Sequence, residues 1–182
     1  TLEALGHDVV TFSGYPATCM WGGWSDGSYC RRCDKTLTQQ ERLPATGKHT
    51  PRTVAAKAAA CSAAGLSEYT VCSVCGLVLQ APEVIPPTGH NYVNGVCSIC
   101  GAKLPGSIGG GSGQGCSFTM KVTKAPSCTE KGELTYTCTV HDGESFTEEI
   151  PALEHVKSVT KVANAATCTE AGNTAEITCA LC

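Results

Sequence analysis

Pairs of metal-binding residues three positions apart are the feature of this sequence that could do chemistry. The 182 residues include 14 cysteines and 5 histidines, and five such pairs, here called knuckles, recur along the chain. They are Cys30/Cys33, Cys72/Cys75, Cys97/Cys100, Cys138/His141 and Cys179/Cys182. A tight turn of this spacing lets two side chains bind one ion, and a structural Zn²⁺ takes four thiolate or imidazole ligands. The repeated knuckle therefore predicts a metal-binding chain.

Two further phrases recur with the knuckles. A Cys-x3-Gly segment precedes four of them, and its cysteine is here called the opening cysteine; these are Cys19, Cys61, Cys128 and Cys168. Four histidines end a short phrase of the type Ile-Pro-Pro-Thr-Gly-His, here called the His phrase; these are His7, His49, His90 and His155. The knuckles begin 42, 25, 41 and 41 residues apart. This spacing predicts a repeat of about 41 residues with one shortened unit, which lacks an opening cysteine.

Three cysteines and one histidine per repeat would form a closed tetrahedral zinc site. In the arrangement that we favour, each histidine precedes its cysteines. The predicted sets are His7, Cys19, Cys30 and Cys33; His49, Cys61, Cys72 and Cys75; Cys116, Cys128, Cys138 and His141; and His155, Cys168, Cys179 and Cys182. His90, Cys97 and Cys100 remain as a three-ligand site. This arrangement predicts four full Zn²⁺ sites, a partial fifth, and 14 free thiols.

In a second arrangement the histidine follows its cysteines. The sets are Cys19, Cys30, Cys33 and His49; Cys61, Cys72, Cys75 and His90; and Cys128, Cys138, His141 and His155. This arrangement leaves His7 without a site, and the distance along the chain to the last ligand of each set varies more. Disulfides are the alternative to metal, and an even number of cysteines suits them. Three cysteines per repeat pair poorly, however, and disulfides give the histidines no role.

Alternating residues on either side of the fourth knuckle predict a β-hairpin with the knuckle at its tip. Leu134 and Tyr136 share one side of the first strand, and Phe146 and Ile150 share one side of the second. Leu, Ile, Val and Phe together number only 33 of the 182 residues, so each unit is too small to fold on apolar burial alone. We predict a small, mostly-β, irregular chain of tandem zinc-ribbon-like hairpin units, with disulfide-stapled β-repeats as the alternative.

The repeat also predicts where the units begin and end. Unit 1 spans 1–47, unit 2 spans 48–88, the short unit 3 spans 89–105, unit 4 spans 116–153 and unit 5 spans 154–182. The segment 106–115 consists almost entirely of glycine and serine, which is typical of a flexible linker.

Composition argues against several classes of function. Lys and Arg number 13 against 16 acidic residues, for a net charge of −3, which disfavours nucleic acid as a partner. No apolar run approaches the roughly 18–20 residues of a membrane span, so we expect no membrane insertion. No Ser/His/Asp order or phosphate loop stands out, so we predict that the chain is not an enzyme. Trp21 and Trp24 are expected to be local core, or alternatively a platform for glycan or protein.

The segment Cys128-Thr129-Glu130-Lys131-Gly132, followed by Tyr136-Thr137-Cys138, resembles the tandem Cys-rich repeats of large surface proteins from anaerobic Gram-positive gut bacteria. The segment from His90 to Cys100 looks like another recurring piece of such proteins, whereas His141 departs from their usual knuckle cysteine. The resemblance implies an extracellular, cell-surface location. It also implies a structural or adhesive role beside neighbouring modules of a longer parent chain.

The resemblance names no ligand, so the expected partner is an unknown protein or glycan. An anaerobic source would let thiolates persist where an extracellular address otherwise favours disulfides. The alternative functions are a glycan- or protein-binding module, metal storage or sensing, and a disulfide-stabilised spacer without metal.

Overall fold

A computed structural model describes residues 5–105, 117–140, 143–166 and 171–182. Regular secondary structure in these ranges is entirely β, which confirms the predicted small, mostly-β fold. None of the described residues forms a helix that could cross a membrane. The predicted ligands Cys116, His141 and Cys168, and the linker 106–115, lie outside the described residues.

Seventeen short strands are present in the described part of the chain. They are β1 (Val9–Phe12), β2 (Gly23–Trp24), β3 (Gly27–Cys30), β4 (Thr36–Thr38), β5 (Arg42–Leu43), β6 (Pro51–Val54), β7 (Gly65–Leu66), β8 (Tyr69–Cys72), β9 (Val78–Gln80), β10 (Val84–Ile85), β11 (Tyr92–Val93), β12 (Val96–Cys97), β13 (Phe118–Lys124), β14 (Gly132–Cys138), β15 (Ser145–Ile150), β16 (Lys157–Lys161) and β17 (Glu176–Cys179).

The same pair of small antiparallel sheets occurs in the first two repeats. The first repeat has the sheets β1-β3-β4 and β2-β5, and the second has β6-β8-β9 and β7-β10. The remaining sheets are β11-β12, β13-β14-β15 and β16-β17. Strands β3, β8 and β14 each end on the first cysteine of a knuckle, and the next strand leads away from it. The knuckle therefore forms the tip of a hairpin, as the sequence predicted.

The glycine of the Cys-x3-Gly segment packs against neighbouring backbone. A Cβ added at Gly132 would lie 2.5 Å from the carbonyl oxygen of Lys124, and the equivalent glycines are as crowded. Three of these glycines are paired with the apolar residue that begins a His phrase; the pairs are Gly23–Leu43, Gly65–Ile85 and Gly132–Ile150. The loop that carries the opening cysteine is thus held on the strand that leads to the next histidine.

The sheet β13-β14-β15 has an apolar core. Leu134, Tyr136 and Ile150 are fully buried, and partly buried rings, including those of Tyr92 and Phe146, pack against them. In the first three repeats the buried side chains are mostly cysteines: Cys19, Cys30, Cys61, Cys72 and Cys97. These repeats accordingly need a different source of stability from apolar burial.

By compactness the chain divides into two units. The first comprises Thr1–Arg52, Cys72–Leu77 and Val159–Ile177, and the second comprises Thr53–Val71, Val78–Ser158 and Thr178–Cys182. Each cluster of cysteine and histidine described below lies within one of these units. The repeat boundaries derived from the sequence stay a prediction.

Candidate metal centres

In the described part of the chain, fifteen predicted ligands gather in four clusters that could hold a metal ion. Each residue offers one ligand atom, and within a cluster these atoms lie within 4.8 Å of one another. We name each cluster by its histidine. The clusters are the His49 site (Cys19, His49, Cys72, Cys75), the His90 site (Cys61, His90, Cys97, Cys100), the His155 site (Cys128, His155, Cys179, Cys182) and the His7 site (His7, Cys30, Cys33).

Distances within the clusters fit tetrahedral coordination. The Sγ atoms of Cys19 and Cys72 are 3.9 Å apart, and Nδ1 of His49 lies 3.5 Å from Sγ of Cys75. The corresponding S–S distances are 4.0 Å in the His90 site and 3.7 Å in the His155 site. A zinc ion with bonds of about 2.3 Å to sulfur and about 2.0 Å to nitrogen separates its ligand atoms by about 3.5–3.8 Å. A disulfide would need about 2.05 Å, so these sulfurs are arranged for an ion and not for a bond.

The knuckle backbone stabilises a negative charge on its first sulfur. The N–H of Ile99 points at Sγ of Cys97 across 3.4 Å, and the N–H of Gly101 closes the turn by donating to the Cys97 carbonyl. Gly101 has a φ of 75°, a conformation that glycine adopts readily. Asp34 holds the same place in the first repeat with a φ of 54°.

Opening and knuckle cysteines differ in proton affinity. Burial, together with the nearby knuckle sulfurs, raises the pKa of the Cys19 and Cys61 thiols to about 11 and that of Cys128 to about 12. Burial also opposes ionisation of Cys72, but backbone N–H groups and His49 outweigh it and lower its pKa to about 5. At neutral pH the knuckle therefore offers a thiolate, whereas the opening cysteine is a neutral thiol.

The opening cysteine contributes to the site of the following repeat, which differs from both predicted arrangements. Both arrangements put Cys19 with Cys30 and Cys33, yet it lies with the second knuckle; the second arrangement was right to group it with His49. The same shift moves Cys61 from the His49 site to the His90 site. The favoured arrangement was right in one respect, because each clustered histidine lies with the knuckle of its own repeat.

Backbone hydrogen bonds explain why the opening cysteine is shifted by one repeat. The N–H of Gly47 donates to the carbonyl of Cys19 across 3.2 Å, and the N–H of Gly89 donates to that of Cys61 across 2.9 Å. These glycines stand just before the next histidine, so the opening loop and the His phrase are bonded directly to each other. The repeat spacing gives no signal for this contact, because it depends on hydrogen bonds between strands.

The residue that follows the histidine forms a backbone hydrogen bond with the knuckle. The N–H of Ser73 donates to the carbonyl of Thr50, and the N–H of Ser98 donates to that of Asn91, each across 2.9 Å. In both repeats the acceptor directly follows the histidine and the donor directly follows the first knuckle cysteine. Backbone hydrogen bonds therefore hold the histidine beside the knuckle of its own repeat. The preceding repeat adds one cysteine to this site.

The short third unit is complete as a result. The sequence predicted His90, Cys97 and Cys100 as a three-ligand site, and this prediction is wrong because Cys61 supplies a fourth ligand. Cys61 is buried, with its sulfur 4.0 Å from that of Cys97.

Cys138 is a predicted ligand that the structure contradicts. It is disulfide-bonded, whereas the other described cysteines are free, and it belongs to none of the clusters of described residues. The prediction of 14 free thiols is therefore wrong. The physical reason lies one repeat earlier: unit 3 has no opening cysteine, so no cysteine can be passed on to the fourth knuckle. The other described member of that predicted set, Cys128, belongs to the His155 site.

A carboxylate behind the His90 site was missed by sequence reasoning. Oε1 of Glu148 lies 3.2 Å from Nε2 of His90, whose side chain is 5% exposed. The hydroxyl of Tyr136 donates to Oε2 of Glu148 and accepts the backbone N–H of His90. A carboxylate on one ring nitrogen fixes the tautomer and turns the other nitrogen toward the metal. Glu148 is 58 residues from His90, so no local spacing could have indicated the contact.

We expect Glu148→Gln to weaken metal binding at the His90 site by about 10–100-fold, the usual effect of removing such a carboxylate. The measurement is competition for the metal with a chromophoric chelator, with the His90 site followed by NMR. Glu149→Gln is the matched control, because Glu149 is exposed and pairs only with Lys131 in the described structure. Equal losses in both variants would contradict the assigned role of Glu148.

We expect each opening thiol to release one proton when a metal binds at pH 7. The pKa of the Cys19 and Cys61 thiols is about 11, so both are protonated at pH 7. Because the proton competes with the metal for the sulfur, metal affinity falls as the pH falls. Calorimetry of Zn²⁺ binding in buffers of different ionisation enthalpy counts the protons. Cys19→Ser should release one proton fewer, and an unchanged count would contradict the expectation.

Comparison with known proteins gives no family assignment. No protein-family model matches the chain, and no curated protein or solved structure is significantly similar to it.

Proposed function

We propose that this chain is a non-enzymatic structural segment folded around Zn²⁺, in which each Cys3His site joins two consecutive repeats. The observation that carries the proposal is the source of the ligands: one cysteine comes from one repeat, and the histidine and knuckle come from the next. An ion bound there would crosslink the repeats. Structural zinc sites are closed by four protein ligands, and three of the clusters supply four.

The ligand chemistry favours zinc among the common metal ions. Thiolate and imidazole ligands suit Zn²⁺, whereas Mg²⁺ and Ca²⁺ prefer oxygen. With four protein ligands, a Cys3His site keeps no coordination position for a substrate, which supports a structural role over an enzymatic one. Storage or sensing would require labile sites, and burial of Cys19, Cys61 and Cys72 argues against rapid exchange.

The proposed setting is the surface of a bacterium, where the segment acts as a spacer or adhesive beside other modules of its parent chain. The proposal is supported by the repeat pattern around Cys128–Cys138. It is also supported by the recurrence of metal sites shared between consecutive repeats, which suits an array of many repeats. Its partner would be a protein or a glycan.

Binding of a glycan or protein through unit 1 is a second candidate, favoured by one observation. Tyr15 and Trp24 are paired through their backbones, and the side chains are 57% and 36% exposed beside Asp26. Exposed aromatic rings in a shallow depression are typical of stacking surfaces. Titration with glycans should change the tryptophan fluorescence of the unsubstituted chain. The Trp24→Ala variant should lose this response while its zinc content is unchanged.

Metal content and free thiols, measured on one sample, test the main proposal. Protein purified without oxygen should show at least three bound Zn²⁺ by native mass spectrometry, one for each Cys3His site. After denaturation and chelation it should show at least the eleven free thiols of the described structure. Protein without zinc, with its cysteines paired, would refute the proposal in favour of a disulfide-stabilised spacer.

A further inference from the structure

The His7 site differs from the other three in its number of ligands. Nδ1 of His7 lies 3.7 Å from Sγ of Cys33, and Cys30 is fully buried. Within the described residues the cluster has these three ligands and no opening cysteine. A tetrahedral zinc ion held by them would have one position left for another ligand.

In its backbone the His7 site matches the complete sites. The N–H of Arg31 donates to the carbonyl of Asp8 across 2.8 Å, which repeats the bond between Ser73 and Thr50. Gly6 has a φ of 68°, close to the 64° of Gly47. The site is thus built to the same plan as those that bind an opening cysteine.

Among the described residues, Gly6 also lacks the hydrogen-bond acceptor that the opening loop supplies in the complete sites. The N–H of Gly47 donates to the carbonyl of Cys19, whereas no described residue accepts a hydrogen bond from the N–H of Gly6. A loop that delivered a cysteine to the His7 site could form this hydrogen bond as well.

Cations beside this site would stabilise the negative charge of a further thiolate once it is bound. Its knuckle contains Arg31 and Arg32, whereas the other described Cys-x2-Cys knuckles have uncharged residues in these positions. The Arg32 guanidinium donates to the carbonyl of Leu5 across 2.9 Å, which places a cation beside the His phrase. A Zn²⁺ ion with three thiolates and one imidazole carries a net charge of about −1, which nearby cations offset.

We propose that the His7 site binds Zn²⁺ and takes as its fourth ligand a cysteine thiolate presented on the opening loop of another repeat. This inference rests on the proposed zinc-binding function. The incoming thiol loses its proton to solvent as its sulfur bonds to zinc, and no redox change is involved. The loop comes either from a repeat of the same polypeptide or from a second copy of the chain.

The test uses a synthetic opening loop and cobalt as a spectroscopic probe. The Co²⁺-loaded chain is titrated with an acetylated peptide of residues 58–65, which contains Cys61, and with the same peptide carrying Cys61→Ser. We expect sulfur-to-cobalt charge-transfer absorption to increase with the cysteine peptide and the response to be lost with the serine peptide. Cys33→Ser in the chain should abolish the response while the Cys3His sites keep their metal.

The outcomes separate this inference from the proposed function. A chain that binds no metal at all refutes both. A chain that fills its three Cys3His sites but does not respond to the cysteine peptide refutes only the inference.

Analytical ultracentrifugation distinguishes the two sources of the thiolate. Concentration-dependent association that Cys33→Ser removes, and that the peptide disrupts, identifies a second copy. A monomer that still binds the peptide identifies another repeat of the same polypeptide.

Discussion

Removing zinc should unfold the first three repeats. Each structural zinc contributes on the order of 10–16 kcal/mol at neutral pH, as much as the whole folding free energy of an ordinary domain. These repeats bury mostly cysteines, such as Cys30, Cys72 and Cys97, so little apolar burial would replace the lost metal. We expect a strong chelator to collapse the dispersed backbone NMR signals of β1 to β12.

The sheet β13-β14-β15 is an internal comparison for this experiment. Its core of Leu134, Tyr136 and Ile150 is apolar and Cys138 is in a disulfide, so its signals should be affected least. A reductant without chelator is the control, because it cleaves disulfides and leaves thiolate-bound zinc in place. If the reductant unfolds β1 to β12 and the chelator does not, the structural role of metal in these repeats is wrong.

Replacing one opening cysteine should damage the following repeat and spare its own. Cys19→Ser removes one of four ligands from the His49 site, and we expect metal affinity there to fall by about two orders of magnitude, roughly a quarter of the binding free energy. The His7 site does not contain Cys19 and should be unchanged. Histidine ¹⁵N NMR of the zinc-loaded protein separates the two sites, because metal binding shifts Nδ1 of each ring.

Cys33→Ser is the reciprocal variant, since Cys33 belongs to the His7 site alone. It should alter the His7 ring and leave the His49 ring unchanged. A response of His7 to Cys19→Ser would instead support the arrangement in which Cys19, Cys30 and Cys33 share a metal.

Local features of this fold follow from the sequence because they depend on neighbouring residues. The alternation of Leu134 and Tyr136 specifies which side of β14 is buried, and a two-residue spacing within a knuckle fixes a turn. The pairing of His49 with Cys72 and Cys75 was also predictable, because the repeat keeps these positions at constant separation.

The partner of the opening cysteine could not be obtained from periodicity. In a regular repeat, assigning Cys19 to its own site or to the next one gives the same regular spacing. What decides between them is the hydrogen bond from Gly47 to Cys19 and the pairing of Gly23 with Leu43, which are contacts between strands. Glu148 is a similar case, because sheet packing alone brings it to His90.

Passing one cysteine forward also determines how an array of these repeats tolerates a change in length. If residues 49–89 were deleted, the His phrase that follows Cys19 would end in His90, and the opening loop of Cys19 would meet the knuckle of Cys97 and Cys100. One site would disappear and no remaining ligand would be orphaned. Gain or loss of a whole repeat by recombination should therefore leave all the remaining metal sites between repeats intact. The number of repeats can then vary between related genes without any change in the sites.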